Sequence, residues 1–347
     1  MKRALLVLLL LAVAGGLFAQ ISWSGGVLGG IEVAYEDDAM LYAYHHDSSA
    51  SGYRFELTGA YTNDDKNAGI NARIRHNGSF DGQYAFVWLK PLDILTLYGG
   101  RIDANNYGTF GGFDANGGVI SPTGVALRLD PIPGLSIGAG VNPTGGEVGD
   151  ASYRFGARYT AAGLVDVAAN LQYNGAGNNG DGETNVNAGF NVLALSGLGF
   201  SRLAVDVQAN NLSDLTWIGV GPRIEFSAAG INLGLRSQVY IPLEDQDLDA
   251  SAAVWVSYPI GSVTPRLGAA YALKGALSGD PGAAFDARDW DGVPKGISAE
   301  DTSVVIVRPS VSFGIGGGSI EAGYTLQTEL SGDRTRHGIF AFFSRGF

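Results

Sequence analysis

The sequence predicts an all-β fold, an antiparallel up-and-down transmembrane β-barrel of about 18 strands, with 16 as the next best count. Three observations predict it. Apolar and polar residues alternate along most of the chain, short turns alternate with long connections, and no apolar run after the N-terminal segment approaches the roughly 18 residues of a membrane helix. Roughly 18 strands enclose an open aqueous channel, whereas about 8 are filled by side chains.

The N-terminal segment has the order of a secretory signal. Lys2 and Arg3 precede an apolar stretch over residues 4–14, and Gly15, Gly16, Leu17, Phe18 and Ala19 follow. Charged, apolar and small-residue regions in this order are typical of a signal peptide. We expect residues 1–19 to be a signal peptide cleaved after Ala19, with an anchoring helix as the alternative, and residues 20–347 to form the barrel.

The strands are predicted from a period of two. In residues 69–76, Ile70 and Ile74 alternate with Arg73 and Arg75, and residues 164–173 repeat the pattern. Successive side chains of a strand point to opposite faces. Each segment therefore has an apolar face and a polar face, as a barrel with lipid outside and water inside requires.

The connections predict hairpins. Short turns are predicted at residues 90–93, 130–134, 160–163, 196–199, 227–230, 258–261 and 314–318. Longer polar connections lie between them, at residues 36–51, 103–122, 142–150, 174–182, 241–249 and 274–301. Short turns at one rim and long loops at the other are typical of outer-membrane barrels.

Composition excludes several classes of protein. The 53 glycines and the 16% of charged residues suit a closed sheet without linkers. The absence of cysteine excludes a disulfide scaffold, a cysteine-ligated metal site and a lipoprotein anchor. Without Lys2 and Arg3, 20 basic residues stand against 34 acidic ones, a formal charge of −14. This charge argues against nucleic acid as a partner.

The polar face of the predicted strands is rich in arginine. Eleven arginines and five carboxylates have the parity opposite to the apolar set. Rings of arginine stabilise anions in a narrow pore, so we expect a lumen biased toward anions. In the alternative, the arginines pair with nearby carboxylates and only stabilise the barrel. The candidate pore-lining residues are Arg54, Arg73, Arg75, Arg128, Arg154, Arg158, Arg202, Arg223, Arg236, Arg266, Arg308, Glu56, Asp166, Asp206, Glu225 and Glu321.

Aromatic residues are expected near the membrane interface. Tyr84, Phe86 and Trp88 share one face of a predicted strand. In barrels, such residues form girdles at the level of the lipid headgroups. Packing in the core of a soluble sandwich is the alternative.

The C-terminal strand carries Ile339, Ala341, Phe343 and Phe347 at one parity, with Arg345 also at that parity. This resembles the C-terminal signal of bacterial outer-membrane β-barrel proteins of the porin-like class. Residues 87–103 are also similar to a strand-turn-strand of porin-like proteins of spirochaetes. The resemblance implies Phe343 and Phe347 as the assembly signal, the barrel-assembly machinery and outer-membrane lipid as partners, and the outer membrane as the location.

No motif predicts a catalytic, cofactor-binding or metal site. His45 and His46 beside Asp47 lack a nucleophile elbow, and the acidic run from Asp245 to Asp249 lacks the glycine and glutamate of an EF-hand loop. We expect a monomeric or trimeric channel for diffusion of small hydrophilic solutes, without a cofactor. A surface adhesin or structural barrel with binding loops is the alternative, and an outer-membrane hydrolase is a third hypothesis.

Overall fold

The computed structural model describes residues 21–36, 39–44, 53–76, 80–102, 123–143, 150–175, 182–209, 211–215, 217–243, 248–273 and 302–346. These residues form nineteen β-strands and one short 3₁₀ helix, Ser196–Leu198. Within the same ranges, no helix combines the length and the apolar character needed to cross a membrane.

The strands follow one another along the chain in a single antiparallel sheet. They are β1 Ser22–Glu36, β2 Ala39–Tyr44, β3 Tyr53–Thr62, β4 Ala68–His76, β5 Phe80–Leu92, β6 Leu95–Arg101, β7 Thr123–Ile132, β8 Leu135–Asn142, β9 Ser152–Ala161, β10 Val165–Asn174, β11 Glu183–Val192, β12 Phe200–Ala209, β13 Trp217–Ala228, β14 Ile231–Pro242, β15 Asp249–Ser257, β16 Val263–Ala272, β17 Val304–Ile315, β18 Gly318–Glu329 and β19 Thr335–Gly346.

The first and last strands close the sheet. One edge of β1 pairs with β19, from Gly26 opposite Gly346 to Glu36 opposite Arg336. The other edge of β1 pairs with β3 over its first half and with β2 over its second half. Because β2 and β3 share one strand position, the nineteen described strands form a closed barrel of 18 strand positions. The predicted count of about 18 is confirmed.

All seven predicted short turns are present. Most join neighbouring strands through two or three residues, and we call their end of the barrel the turn rim. Gly134 and Gly317 have positive φ angles of 84° and 81°, which glycine adopts without steric cost. Residues 63–67 form a further connection at this rim, between β3 and β4. Most of the predicted long connections lie outside the described residues.

Apolar side chains stay exposed on one face of almost every strand. Examples are Ile70 on β4, Val87 on β5, Phe155 on β9 and Ile339 on β19. The side chains between them point to the other face and are mostly buried or half-buried. A large apolar outer surface of this kind marks contact with a membrane or with another protein. The predicted alternation of strand faces is therefore confirmed.

Small residues let large inward side chains lie flat against the wall. A Cβ atom at Gly234 of β14 would overlap the ring of Trp255 on β15, and one at Gly323 of β18 would lie 2.6 Å from Phe340 on β19. Each of these aromatic residues is directly opposite its glycine in the strand register. Part of the high glycine content thus serves close packing of inward rings.

Candidate functional site

The candidate site is the inward face of the barrel. The structure places all sixteen candidate residues on the strand face opposite the exposed apolar side chains. Their burial differs widely. Arg154, Arg223, Arg236, Arg308, Asp166 and Asp206 are buried, and Arg54, Arg73, Arg75, Arg128, Arg158, Arg202, Arg266, Glu56, Glu225 and Glu321 are half-buried.

On β3 and β4, two arginines share one carboxylate. Arg75 approaches Glu56 Oε1 from Nε at 2.7 Å and from Nη2 at 2.6 Å. The Nε atom of Arg54 lies 3.5 Å from the same oxygen. A single carboxylate oxygen therefore contacts two guanidinium groups.

Arg73 and Arg154 hydrogen-bond to neutral groups. Arg73 Nε donates to Thr58 Oγ1 at 3.2 Å, and its guanidinium carbon lies 4.8 Å from the centroid of the Tyr84 ring. Arg154 Nη2 donates to Gln172 Oε1. Neither acceptor carries charge, so these bonds orient the two guanidinium groups without cancelling them.

Two ion pairs line the inward face of β7–β10 near the turn rim. Arg128 Nε donates to Asp130 Oδ1 at 2.9 Å, and Ser136 Oγ donates to the same oxygen at 2.6 Å. Arg158 Nε donates to Asp166 Oδ1 at 2.9 Å, and the Arg158 Nη2 atom contacts the other oxygen. Arg128 and Arg158 both line a cavity of about 660 Å³.

Two arginines lie directly opposite each other on β13 and β14. Arg223 faces Arg236 in the strand register. Arg223 Nε donates to Glu225 Oε1 at 2.7 Å. Like charges opposite each other destabilise a sheet, so Glu225 offsets part of this repulsion.

The inward face of β17–β19 is packed. Arg308 is fully buried, and its guanidinium carbon lies 4.0 Å from the centroid of the Phe340 ring and 5.5 Å from that of Phe342. The two phenylalanine rings stack with centroids 4.8 Å apart and an angle of 16° between planes. Ile306 and Gln327 are also almost completely buried.

The interfacial girdle predicted for Tyr84 and Phe86 is wrong. Both side chains are buried on the inward face and cluster with Ile102 and Ala126, and Trp88 packs against this cluster. The exposed residues of β5 have the other parity, as at Val87. Since both parities of this strand are apolar, the period of two could not identify the outer face.

The inward face also holds charged residues that the sequence analysis left out. Arg336 is buried at the same parity as Phe340 and opposite to Ile339. Asp130, assigned to a turn, accepts the bond from Arg128, and Asp249 is buried at the start of β15. The alternation along each strand was sufficient to assign all three residues to the inward face. With these additions the excess of inward cations is smaller than the sequence count predicted.

Several other candidate residues lie away from this face or outside the described residues. Phe343 is exposed on the outer face, whereas Phe347 lies outside the described residues. His45, His46, Asp245 and Asp247 also lie outside them. His337 Nδ1 shares a hydrogen bond with Tyr324 Oη on the outer face. Within the described ranges, no group of three or more histidine, aspartate or glutamate residues could hold a metal ion.

Comparison with known proteins shows the fold. The sequence matches no protein-family profile and no curated protein. The structure is similar to the crystal structure of OpdL from Pseudomonas aeruginosa, with a TM-score of 0.61 and 10% sequence identity, covering 95% of this chain and 99% of OpdL. OpdQ of the same organism gives a TM-score of 0.56 at 10% identity, covering 94% and 97%. OccAB3 of Acinetobacter baumannii gives 0.55 at 9% identity, covering 95% and 100%.

Proposed function

We propose that the chain is an outer-membrane, porin-like channel through which small hydrophilic solutes diffuse, with a lumen biased toward anions. The closed barrel of 18 strand positions supports the channel, because a sheet of about this size encloses a water-filled lumen. The apolar outer face supports the membrane location. The similar barrels of OpdL and OpdQ belong to outer-membrane porins, which agrees with both.

The arginine cluster on β3 and β4 carries the anion proposal. Arg54, Arg73 and Arg75 lie at neighbouring inward positions, where Glu56 contacts Arg54 and Arg75 and Thr58 accepts a hydrogen bond from Arg73. A wall of low dielectric constant strengthens the field of such a cluster inside a narrow lumen. Small anions are therefore attracted to this side of the pore, and small cations are repelled.

Reversal potentials in planar bilayers under a salt gradient test the proposal. The reconstituted barrel is expected to conduct in steps of stable size and to prefer the anion. A triple variant, R54Q/R73Q/R75Q, should shift the reversal potential toward the cation. Arg345→Gln is the matched control, because Arg345 is exposed on the outer face and its loss should leave selectivity unchanged. A bilayer that stays sealed contradicts the channel, and cation selectivity of the wild type contradicts the bias.

The same proposal includes export and assembly. Residues 1–19 are removed as a signal peptide, and Phe343 and Phe347 form the signal that the barrel-assembly machinery recognises. Phe343 supports this role because its ring is exposed on the outer face of the last strand. Phe343→Ala should lower the heat-modifiable fraction in cell envelopes, and Leu198→Ala, at an exposed turn residue, should not. N-terminal sequencing of the membrane form tests cleavage after Ala19.

A further inference from the structure

A groove crosses the outer face of β3–β6 next to the turn rim. Its volume is about 400 Å³ and its lining is almost wholly apolar. Tyr61, Ile70 and Val87 stand in one row across the strands, and the same row ends at Gly99. Ala68 begins the next row, followed by Leu89 and Leu97. The groove exists because Ala68 and Gly99 are small among large neighbours.

The floor of the groove is open at Gly99. A Cβ atom there would find only Val87 Cγ2 as a neighbour, at 3.8 Å. A side chain at this position would therefore enter open space above the sheet. Ile70, Val87 and Leu97 form its sides, and all three are exposed on the outer face.

Two turns that carry both signs of charge lie at the end of the groove. The backbone N–H of Lys90 donates to the carbonyl oxygen of Asn67 at 2.6 Å, which joins the β3–β4 turn to the β5–β6 turn. The first turn carries exposed Asp64, Asp65 and Lys66. In the second, Lys90 Nζ lies 3.9 Å from Asp93 Oδ1. Two ammonium groups and three carboxylates thus lie at the rim, where lipid headgroups would be.

We propose that the groove and these two turns form a binding site for a zwitterionic phospholipid with an amine headgroup. One acyl chain fills the groove, the phosphate lies near Lys66, and the lipid ammonium faces Asp64, Asp65 and Asp93. The mixed charges of the rim favour a headgroup that has both a phosphate and an ammonium. A lipid with a phosphate and no ammonium would place its negative charge against the three carboxylates. The site rests on the membrane location proposed above.

Native mass spectrometry of the detergent-purified barrel tests the site, with phosphatidylethanolamine and phosphatidylglycerol of identical acyl chains as probes. The wild type is expected to retain phosphatidylethanolamine about tenfold more strongly than phosphatidylglycerol. Gly99→Leu should weaken this retention by about tenfold, because its side chain occupies the groove. Ala188→Leu is the matched control, since Ala188 is exposed on the outer face of β11, away from the groove.

A second variant, D64N/D65N/D93N, changes only the turns and leaves the groove intact. It should reduce the preference for phosphatidylethanolamine while the heat-modifiable migration of the barrel is unchanged. Equal retention by the wild type and Gly99→Leu would overturn the site, and equal retention of the two lipids by the wild type would overturn the headgroup assignment. Lipid retention does not depend on conductance, so a failed site and a failed channel give different results.

Discussion

Two parts of the inward face use arginine differently. We call Arg54, Glu56, Arg73, Arg75, Arg128, Asp130, Arg158 and Asp166 the charged wall, and Arg236, Ile306, Arg308, Gln327 and Phe340 the packed wall. In the charged wall, the side chains of Arg128 and Arg158 are 32% and 33% exposed. In the packed wall, Arg236 and Arg308 are 1% and 0% exposed. In both walls the arginines lie on the inward face of their strands.

The inward direction of a side chain and its contact with water are therefore separate properties. Arginines of the charged wall are partly exposed and pair with carboxylates or other polar groups. Arginines of the packed wall lie among aromatic and aliphatic groups and contribute mainly to the stability of the barrel. The proposed effect on ion selectivity therefore concerns the charged wall and not the packed wall.

The largest expected effect is at Arg308. Arg308→Ala should lower the free energy of unfolding by about 3 kcal/mol, because it leaves a cavity and removes the contact with Phe340. Unfolding by urea in lipid vesicles measures this loss. Arg308→Met keeps most of the volume and should recover most of the stability. Equal losses in both variants would show that charge, and not packing, dominates at this position.

Gly234 tests the close packing of an inward aromatic ring against the backbone of the neighbouring strand. Gly234→Ala should destabilise the barrel by about 2 kcal/mol, because the new Cβ atom overlaps the ring of Trp255. Gly82→Ala is the matched control, since a Cβ atom there meets no atom within 4 Å. The temperature at which the electrophoretic migration shifts reports both. A variant at Gly234 as stable as the control would mean that the ring moves aside at little cost.

Asp166 tests the ion pairs of the charged wall in the urea unfolding experiment. Asp166→Asn should cost about 2 kcal/mol, because Arg158 and Thr160 both donate to this carboxylate. Asp333→Asn is the control, since Asp333 is exposed in the β18–β19 connection, and it should leave the urea midpoint unchanged. If both variants unfold at the wild-type midpoint, the ion pairs of the charged wall contribute nothing to stability.

The smallest effect on stability is expected at Arg73. Arg73→Gln should change the free energy of unfolding by less than about 1 kcal/mol, since its only described hydrogen bond goes to Thr58. The same change should shift the reversal potential toward the cation by more than Arg308→Met does, because Arg73 is half-buried and Arg308 is enclosed. Equal shifts in the two variants would remove the distinction between the walls.

Much of the architecture follows from the sequence because a strand has a side-chain period of two. One set of alternating residues, such as Ile70 and Ile74, places Arg73 and Arg75 on the opposite face without further information. Gly134 and Gly317 mark turns through their backbone requirements. The period does not show which face points outward when both are apolar, and this is why the position of Tyr84 and Phe86 was wrong.

Burial within the lumen could not be predicted in the same way. It depends on contacts between strands far apart in sequence, such as Arg308 on β17 with Phe340 on β19. The sharing of one strand position by β2 and β3 was also missed. Both strands pair with β1 from nearby positions in the chain, but the glycines of β1 weaken the local alternation there.

The pairing of β1 with β19 joins residues more than 300 positions apart, such as Gly26 and Gly346. Every partly built sheet therefore presents two rows of amide and carbonyl groups that no strand satisfies. In hydrocarbon each such group costs several kcal/mol, so a stepwise entry of hairpins into lipid would be strongly unfavourable. Pairing of β1 with β19 removes both open edges at once, so the closed ring leaves no strand edge of the sheet facing hydrocarbon.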